Sequence, residues 1–159
     1  MIGKRGAPWI VASVIGVAFM GSGLLTPLYP FYQKAFGFSE VTLTFVYAAY
    51  ALGNALALLL FGRISDMFGR RPVALATVAV GIISMLLFLF AQSTAWLVIG
   101  RILSGIAVGL ASGTGAAWLA DDAEDKARAS VIANVANGFG FALGPLLGGL
   151  LAQYGAAPL

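Results

Sequence analysis

Long apolar segments alternate with short polar gaps along the whole chain. Each segment holds about twenty residues, which at about 1.5 Å per residue in a helix crosses a hydrocarbon core of about 30 Å. The pattern predicts an all-α polytopic membrane protein with five transmembrane helices, at about residues 9–29, 40–61, 73–91, 95–119 and 129–153. We expect Pro27 and Pro30 to close the first span and Ser39 to cap the N-terminus of the second.

The composition supports a membrane protein and excludes several other classes. Of the 159 residues, 60% are hydrophobic and 9% are charged, which is far from the balance of a soluble domain. The chain has no cysteine and no histidine, so disulfides, cysteine-ligated metals and a histidine proton carrier are excluded. Nucleophiles, paired carboxylates and metal ligands do not converge in the spans, and we therefore expect neither a metal or other cofactor nor an enzyme.

Basic residues are distributed unevenly among the polar gaps. If the N-terminus is cytoplasmic, Lys34 is the only one of these cations in an outer loop. The seven cations on the cytoplasmic side are then Lys4, Arg5, Arg63, Arg70, Arg71, Lys126 and Arg128. This asymmetry follows the positive-inside rule. It predicts a cytoplasmic N-terminus and accounts for the net charge of +3 without a nucleic-acid partner.

Glycines recur every four residues in the fourth and fifth spans. They are Gly105, Gly109 and Gly113 in the fourth span and Gly140, Gly144 and Gly148 in the fifth. A spacing of four places each set on one face of its helix. In lipid, small residues on a helix face let the backbones of neighbouring helices approach closely. The pattern therefore predicts close helix packing along both faces.

The gap between the second and third spans reads GRISDMFGRRP, residues 62–72. It resembles the loop signature that the major facilitator superfamily carries between its second and third helices, except that Met67 replaces the usual basic residue. In that family the loop is a conformational latch, and the resemblance implies that Asp66 and Arg70 pair with neighbouring helix ends. The other residues that the resemblance assigns to the latch are Gly62, Gly69, Arg71, the acidic partner Asp121 or Asp122, and Arg128.

Arg101 is an isolated charge within the fourth span. An arginine at the centre of a membrane helix costs about 2.5 to 3.5 kcal/mol, but this one is close enough to the outer end to snorkel to the surface. The alternative follows from the surrounding LVIGRILSGIAVG, which resembles the helix-four motif of the superfamily, with Ser104 in place of a frequent glutamine. That resemblance implies a role in proton coupling, in which the cation favours proton release from a nearby carboxylate. The predicted spans contain no interior carboxylate, so we expect any such carboxylate to belong to other residues.

The segment GFALGPLLGG, residues 140–149, resembles the fifth-helix motif of superfamily antiporters, which include drug and proton exchangers. The motif residues are Gly140, Gly144, Pro145, Gly148 and Gly149. Proline removes one backbone hydrogen bond and bends a helix. The resemblance implies a bent fifth helix whose glycine face lies at the interface between the two halves of a transporter.

Polar side chains within the spans are candidates for a substrate path. They are Asn54, Ser104, Ser112, Thr114, Asn134 and Asn137. Because such groups are costly against lipid, they either face a cavity or hydrogen-bond to another helix, and both interpretations stay open. Aromatic residues that would suit an amphipathic or aromatic substrate are Trp9, Phe19 and Phe141.

The resemblance covers helices one to five of a twelve-helix transporter, in which each half contains two inverted three-helix repeats. It implies alternating-access transport of small molecules, as proton-coupled drug or metabolite efflux across a plasma membrane of the bacterial inner-membrane type. The alternatives are a metabolite or sugar permease and a non-transporting membrane scaffold. The expected partners are a small-molecule substrate, protons and the lipid bilayer, together with either a C-terminal half or a second copy of the chain. We therefore expect a piece of a longer protein, a half-transporter that dimerises, or the scaffold.

Overall fold

The computed structural model describes residues 7–61, 67–122 and 126–154. These residues form helices and connecting turns, and the described part of the chain contains no strand. The α-helices are α1 (Ala7–Leu24), α2 (Tyr29–Phe36), α3 (Glu40–Phe61), α4 (Arg70–Leu89), α5 (Thr94–Asp122) and α6 (Lys126–Tyr154). A 3-10 turn, Thr26–Leu28, joins α1 to α2.

The described helices provide five segments that are long and apolar enough to cross a membrane. They are Trp9–Phe36, Glu40–Leu60, Arg70–Leu89, Thr94–Leu119 and Ser130–Tyr154. The first combines α1, the 3-10 turn and α2, and the other four lie within α3 to α6. The predicted all-α class with five membrane-spanning helices is confirmed.

Pro27 and Pro30 do not end the first span, which corrects the expectation from the sequence. Pro27 lies in the 3-10 turn and Pro30 in the first turn of α2. A proline in a first helical turn lacks only an N–H that would have no helical partner, so the chain continues as helix. The segment ends instead at Gly37, which has a left-handed φ of 66° and donates its N–H to the Gln33 carbonyl.

Ser39 caps α3, as the sequence predicts. Its Oγ accepts a hydrogen bond from the backbone N–H of Thr42 at 3.3 Å, which satisfies one of the free donors at the helix start. The side chain of Gln33 donates to Glu40 Oε1 at 3.0 Å. These contacts fix the turn between α2 and α3.

The helix α5 occupies the centre of the bundle and packs against α1, α3, α4 and α6. In the apolar window of its span 56% of the residues are buried, compared with 17% for the window in α6. A second long contact joins α6 to α1. Because α5 touches the other four spans, side chains on it can link helices that lie far apart in sequence.

Glycines mark the contact between α5 and α3. A Cβ atom at Gly105 would lie 2.8 Å from the backbone nitrogen of Asn54, and one at Gly109 would lie 2.6 Å from Ala57 Cβ. From the other side, a Cβ at Gly53 would lie 2.9 Å from the Ile102 carbonyl carbon. Gly113 has only an ordinary contact. The predicted close packing is confirmed at Gly105 and Gly109.

The glycine face of α6 packs against α1 of the same chain. A Cβ at Gly144 would lie 3.0 Å from Gly23 Cα, and one at Gly148 would lie 2.9 Å from the Leu24 carbonyl carbon. Gly140 likewise meets the backbone of Gly16. This corrects the expectation that the face lies between two halves of a transporter, because backbone atoms of α1 already fill the space beside it.

Candidate functional site

The buried charge of Arg101 links the first four spans at one end of the bundle. Its side chain is 3% exposed. Nε donates a hydrogen bond to the Tyr29 hydroxyl, and Nη1 donates to the Ser22 carbonyl at 3.2 Å. Of the two interpretations drawn from the sequence, snorkelling to the surface is therefore wrong, because the guanidinium binds groups inside the protein.

Aromatic rings enclose the Arg101 guanidinium. Its central carbon lies 4.8 Å from the ring centroid of Tyr29, 5.6 Å from that of Tyr47, and 5.9 Å from those of Tyr50 and Phe88. These rings come from α2, α3 and α4. A guanidinium within about 6 Å of a ring is attracted to its negative face, and the attraction grows when water is excluded. The cage therefore compensates part of the cost of burying the charge.

The end of α1 explains why a cation is stabilised at this depth. The last four carbonyls of an α-helix have no helical partner, and the helix dipole places partial negative charge there. The helix α1 ends at Leu24 and has no basic residue in its last turn. Arg101, from α5, donates instead to the carbonyl of Ser22 in that turn. It thus acts as a cap supplied by another helix.

One nitrogen of Arg101 keeps unused hydrogen-bonding capacity. Nη2 is buried and has no hydrogen-bond partner among the residues that the structure describes. Within those same residues, the guanidinium bonds to a hydroxyl and a carbonyl and to no carboxylate. The role of Arg101 in proton coupling stays a prediction.

The polar residues considered for a substrate path do not form one cluster. Ser104 Oγ donates to the Arg101 carbonyl of its own helix at 3.0 Å. Asn54 packs at the α3 and α5 contact near Gly109, and its buried Oδ1 has no partner in the described chain. On α6, Asn137 Oδ1 is also buried without a partner there, while Asn134 is exposed. These four candidates thus lie on three different helices, α3, α5 and α6.

Residues 11–158 match the family model of the Major Facilitator Superfamily. The chain belongs to the Major Facilitator Superfamily. It is 29% identical to Multidrug resistance protein 2 of Bacillus subtilis, over 92% of this chain and 37% of that protein. It is 36% identical to Multidrug resistance protein MdtL of Klebsiella pneumoniae, over 72% of this chain and 30% of that protein.

A plant protein is also similar to this chain. Protein ZINC INDUCED FACILITATOR 1 of Arabidopsis thaliana is 30% identical, over 94% of this chain and 33% of the relative. The chain therefore spans about a third of the length of these curated relatives. As a member of the superfamily with five long apolar helices, it is a multi-pass membrane protein.

The superfamily loop between the second and third spans is described in part. Gly62 and Asp66 lie outside the described residues, as do the side chains of Asp121 and Asp122 at the end of α5. Gly69 precedes α4 with a φ of 89°, a conformation that favours glycine. The latch itself stays a prediction.

The arginines of the predicted latch lie at helix starts. Arg70 and Arg71 open α4, and Arg128 lies in the first turn of α6. A cation at a helix N-terminus is repelled by the positive end of the helix dipole. A nearby anionic partner offsets this repulsion. Arg70 and Arg128 both make interactions in the structure. The pairing that the superfamily resemblance implies stays a prediction.

The superfamily resemblance did not identify the partners of Arg101. The sequence named Trp9, Phe19 and Phe141 as aromatic residues for a substrate path and named no aromatic partner for Arg101; Trp9 and Phe141 are 69% and 66% exposed. Tyr29, Tyr47 and Tyr50 surround the buried charge instead. A usable signal was present, because three tyrosines within apolar spans each carry a hydroxyl that needs a partner.

Proposed function

We propose that this chain forms the first five helices of a drug exporter in a plasma membrane. The observation that carries the proposal is the similarity, over 92% and 72% of the chain, to two relatives named as multidrug resistance proteins. Membership of a transporter superfamily makes a transporter, rather than an enzyme, the proposed function. The antiporter-type motif of α6 also supports efflux.

Alternating access and proton coupling belong to the same proposal. Charge pairs between the loop arginines and nearby acidic residues would hold the helix ends in one state and separate in the other. Arg101 would lower the pKa of a carboxylate brought close to it, favouring proton release. The facing wall of the path, and that carboxylate, would come from a C-terminal half or from a second copy of the chain.

The proposed orientation places the N-terminus in the cytoplasm. Since the chain has no natural cysteine, single cysteines can report which side each loop faces. Lys34 and Met67 are both exposed in the structure. With a membrane-impermeant maleimide, we expect Lys34→Cys to be labelled on intact cells and Met67→Cys only after permeabilisation. The opposite pattern would contradict the orientation and leave the fold unaffected.

Export can be tested in cells that lack their own drug exporters. The test uses a panel of cationic, neutral and anionic aromatic dyes. We expect cells that produce the protein carrying this chain to retain less of at least one of these dyes than control cells do. A proton ionophore should abolish the difference if export is proton-coupled. Retention equal to that of control cells for every dye, with the protein present in the membrane, would refute the efflux proposal.

A further inference from the structure

The charge of Arg101 has no ionic partner in the described part of the chain. The side chain is 3% exposed, and its Nη2 is buried without a hydrogen-bond partner there. Its described neighbours are neutral, namely the Tyr29 hydroxyl, the Ser22 carbonyl and aromatic rings. A buried charge surrounded by neutral groups produces a positive potential that extends through the low-dielectric protein around it.

Tyr47 lies between this buried charge and an exposed surface of α3. Its ring centroid lies 5.6 Å from the guanidinium carbon of Arg101 and 5.1 Å from the Tyr29 ring, which it meets edge-on. The residue is nevertheless 41% exposed. A compound that stacks on Tyr47 would therefore lie close to the Arg101 charge while separated from it by a ring and not by water.

Asn54 does not extend this surface. It lies seven residues after Tyr47, but its Oδ1 is buried beside Gly109 in the contact between α3 and α5. The exposed surface of α3 at this position thus combines an aromatic platform, the Tyr47 ring, with a cation beneath it.

We propose that this surface, formed by Tyr47 over Arg101, selects anionic aromatic compounds over cationic ones. The inference rests on the drug-export function proposed above and names its substrate class. The compound's ring stacks on Tyr47 with the offset or edge-on geometry that aromatic pairs prefer. A carboxylate on the compound is attracted to the Arg101 charge, whereas a cationic group is repelled by it.

Two dyes with the same xanthene ring and opposite charge provide the test. Fluorescein is an anion at neutral pH and rhodamine 123 is a cation. The protein carrying this chain is placed in phosphatidylcholine nanodiscs, and the binding of each dye is followed by fluorescence anisotropy. We expect fluorescein to bind at least about tenfold more tightly than rhodamine 123. Tighter binding of rhodamine 123 would overturn the proposal.

Charge-changing variants locate the origin of the preference. Arg101→Gln removes the charge and should reduce the preference to about twofold or less, whereas Arg101→Lys should retain most of it. Lys34→Gln is the matched control, because it removes one positive charge from an exposed residue near the end of α2. We expect Lys34→Gln to leave the preference unchanged. An unchanged preference in Arg101→Gln would refute the assignment.

A second experiment uses the unmodified protein and therefore does not depend on a variant that folds. Salt screens exposed charges strongly and buried charges much less, with a Debye length of about 3 Å at 1 M. The fluorescein preference should therefore persist at about 1 M NaCl. Its loss would assign it to surface charge and overturn the proposal. Equal binding of both dyes would refute charge selection while keeping drug binding. Binding of neither dye would overturn the proposed selectivity while leaving export of the wider dye panel as a separate question.

Discussion

Replacing Gly148 with alanine is expected to destabilise the folded protein by about 1 to 3 kcal/mol, because the added methyl group overpacks the contact between α6 and α1. A Cβ at this position would lie 2.9 Å from the Leu24 carbonyl carbon, and the backbone cannot move away as a flexible side chain would. The measurement is the midpoint of thermal unfolding in detergent. We expect Gly148→Ala to lower it by several degrees.

Gly149→Ala is the matched control for the glycine face. The two positions are adjacent in α6, but a Cβ at Gly149 would have no neighbour within 4 Å. Alanine favours a helix over glycine by about 1 kcal/mol, so this variant should unfold at the same or a higher temperature. If Gly148→Ala and Gly149→Ala shift the midpoint equally, the close contact between the glycine face of α6 and the backbone of α1 does not hold these helices together.

Replacing Arg101 with methionine is expected to cost about 2 to 6 kcal/mol of stability. The change leaves the Tyr29 hydroxyl and the Ser22 carbonyl without the hydrogen bonds that Arg101 donates, and each unpaired buried group costs about 1 to 3 kcal/mol. It also removes the cation that caps the end of α1. Thermal unfolding should begin at a markedly lower temperature.

Two further variants make the Arg101 prediction specific. Arg101→Lys keeps a cation but lacks the planar fork that reaches two acceptors at once, so we expect an intermediate loss. Ser104→Ala removes only a hydroxyl that bonds within its own helix, and a change of about 1 kcal/mol or less is expected. Arg101→Met with the stability of the unmodified protein would show that the cage does not tie the helices together.

The structure contains two glycine seams, which are close helix contacts lined by glycine, and their arrangement follows the pattern of an inverted repeat. One seam joins the second span to the fourth, through Gly53 and Gly105, and the other joins the fifth span to the first, through Gly144 and Gly23. In an inverted repeat, spans one, two and three correspond to spans four, five and six. The pair formed by spans two and four then corresponds to the pair formed by spans five and one. The same small-residue packing therefore serves both halves of the repeat.

The helices and the glycine faces were predictable because they depend on local periodicity. Apolar length fixes a span, and a spacing of four places Gly140, Gly144 and Gly148 on one face whatever the partner is. The partner was not predictable in the same way, because nothing in the sequence of α6 distinguishes α1 of the same chain from a helix of a second half. The observed choice depends on the arrangement of all five spans.

The residues that surround Arg101 could not be predicted from local sequence patterns either. The sequence identified the residue and left two roles open, but the cage takes rings from α2, α3 and α4 that are separated by up to 59 residues. The continuation of the first span through Pro27 and Pro30 was missed because a proline at a helix start and a proline that ends a helix have the same sequence signal. Tertiary packing decides between them.

The most direct test of transport uses the protein carrying this chain, purified and reconstituted into liposomes with an imposed pH gradient. We expect the gradient to drive protein-dependent accumulation of fluorescein against its own concentration gradient, and a proton ionophore to abolish that accumulation. Dye that only equilibrates across the membrane would contradict proton coupling. If this dye and the wider panel show no protein-dependent movement at all, the transport function is contradicted.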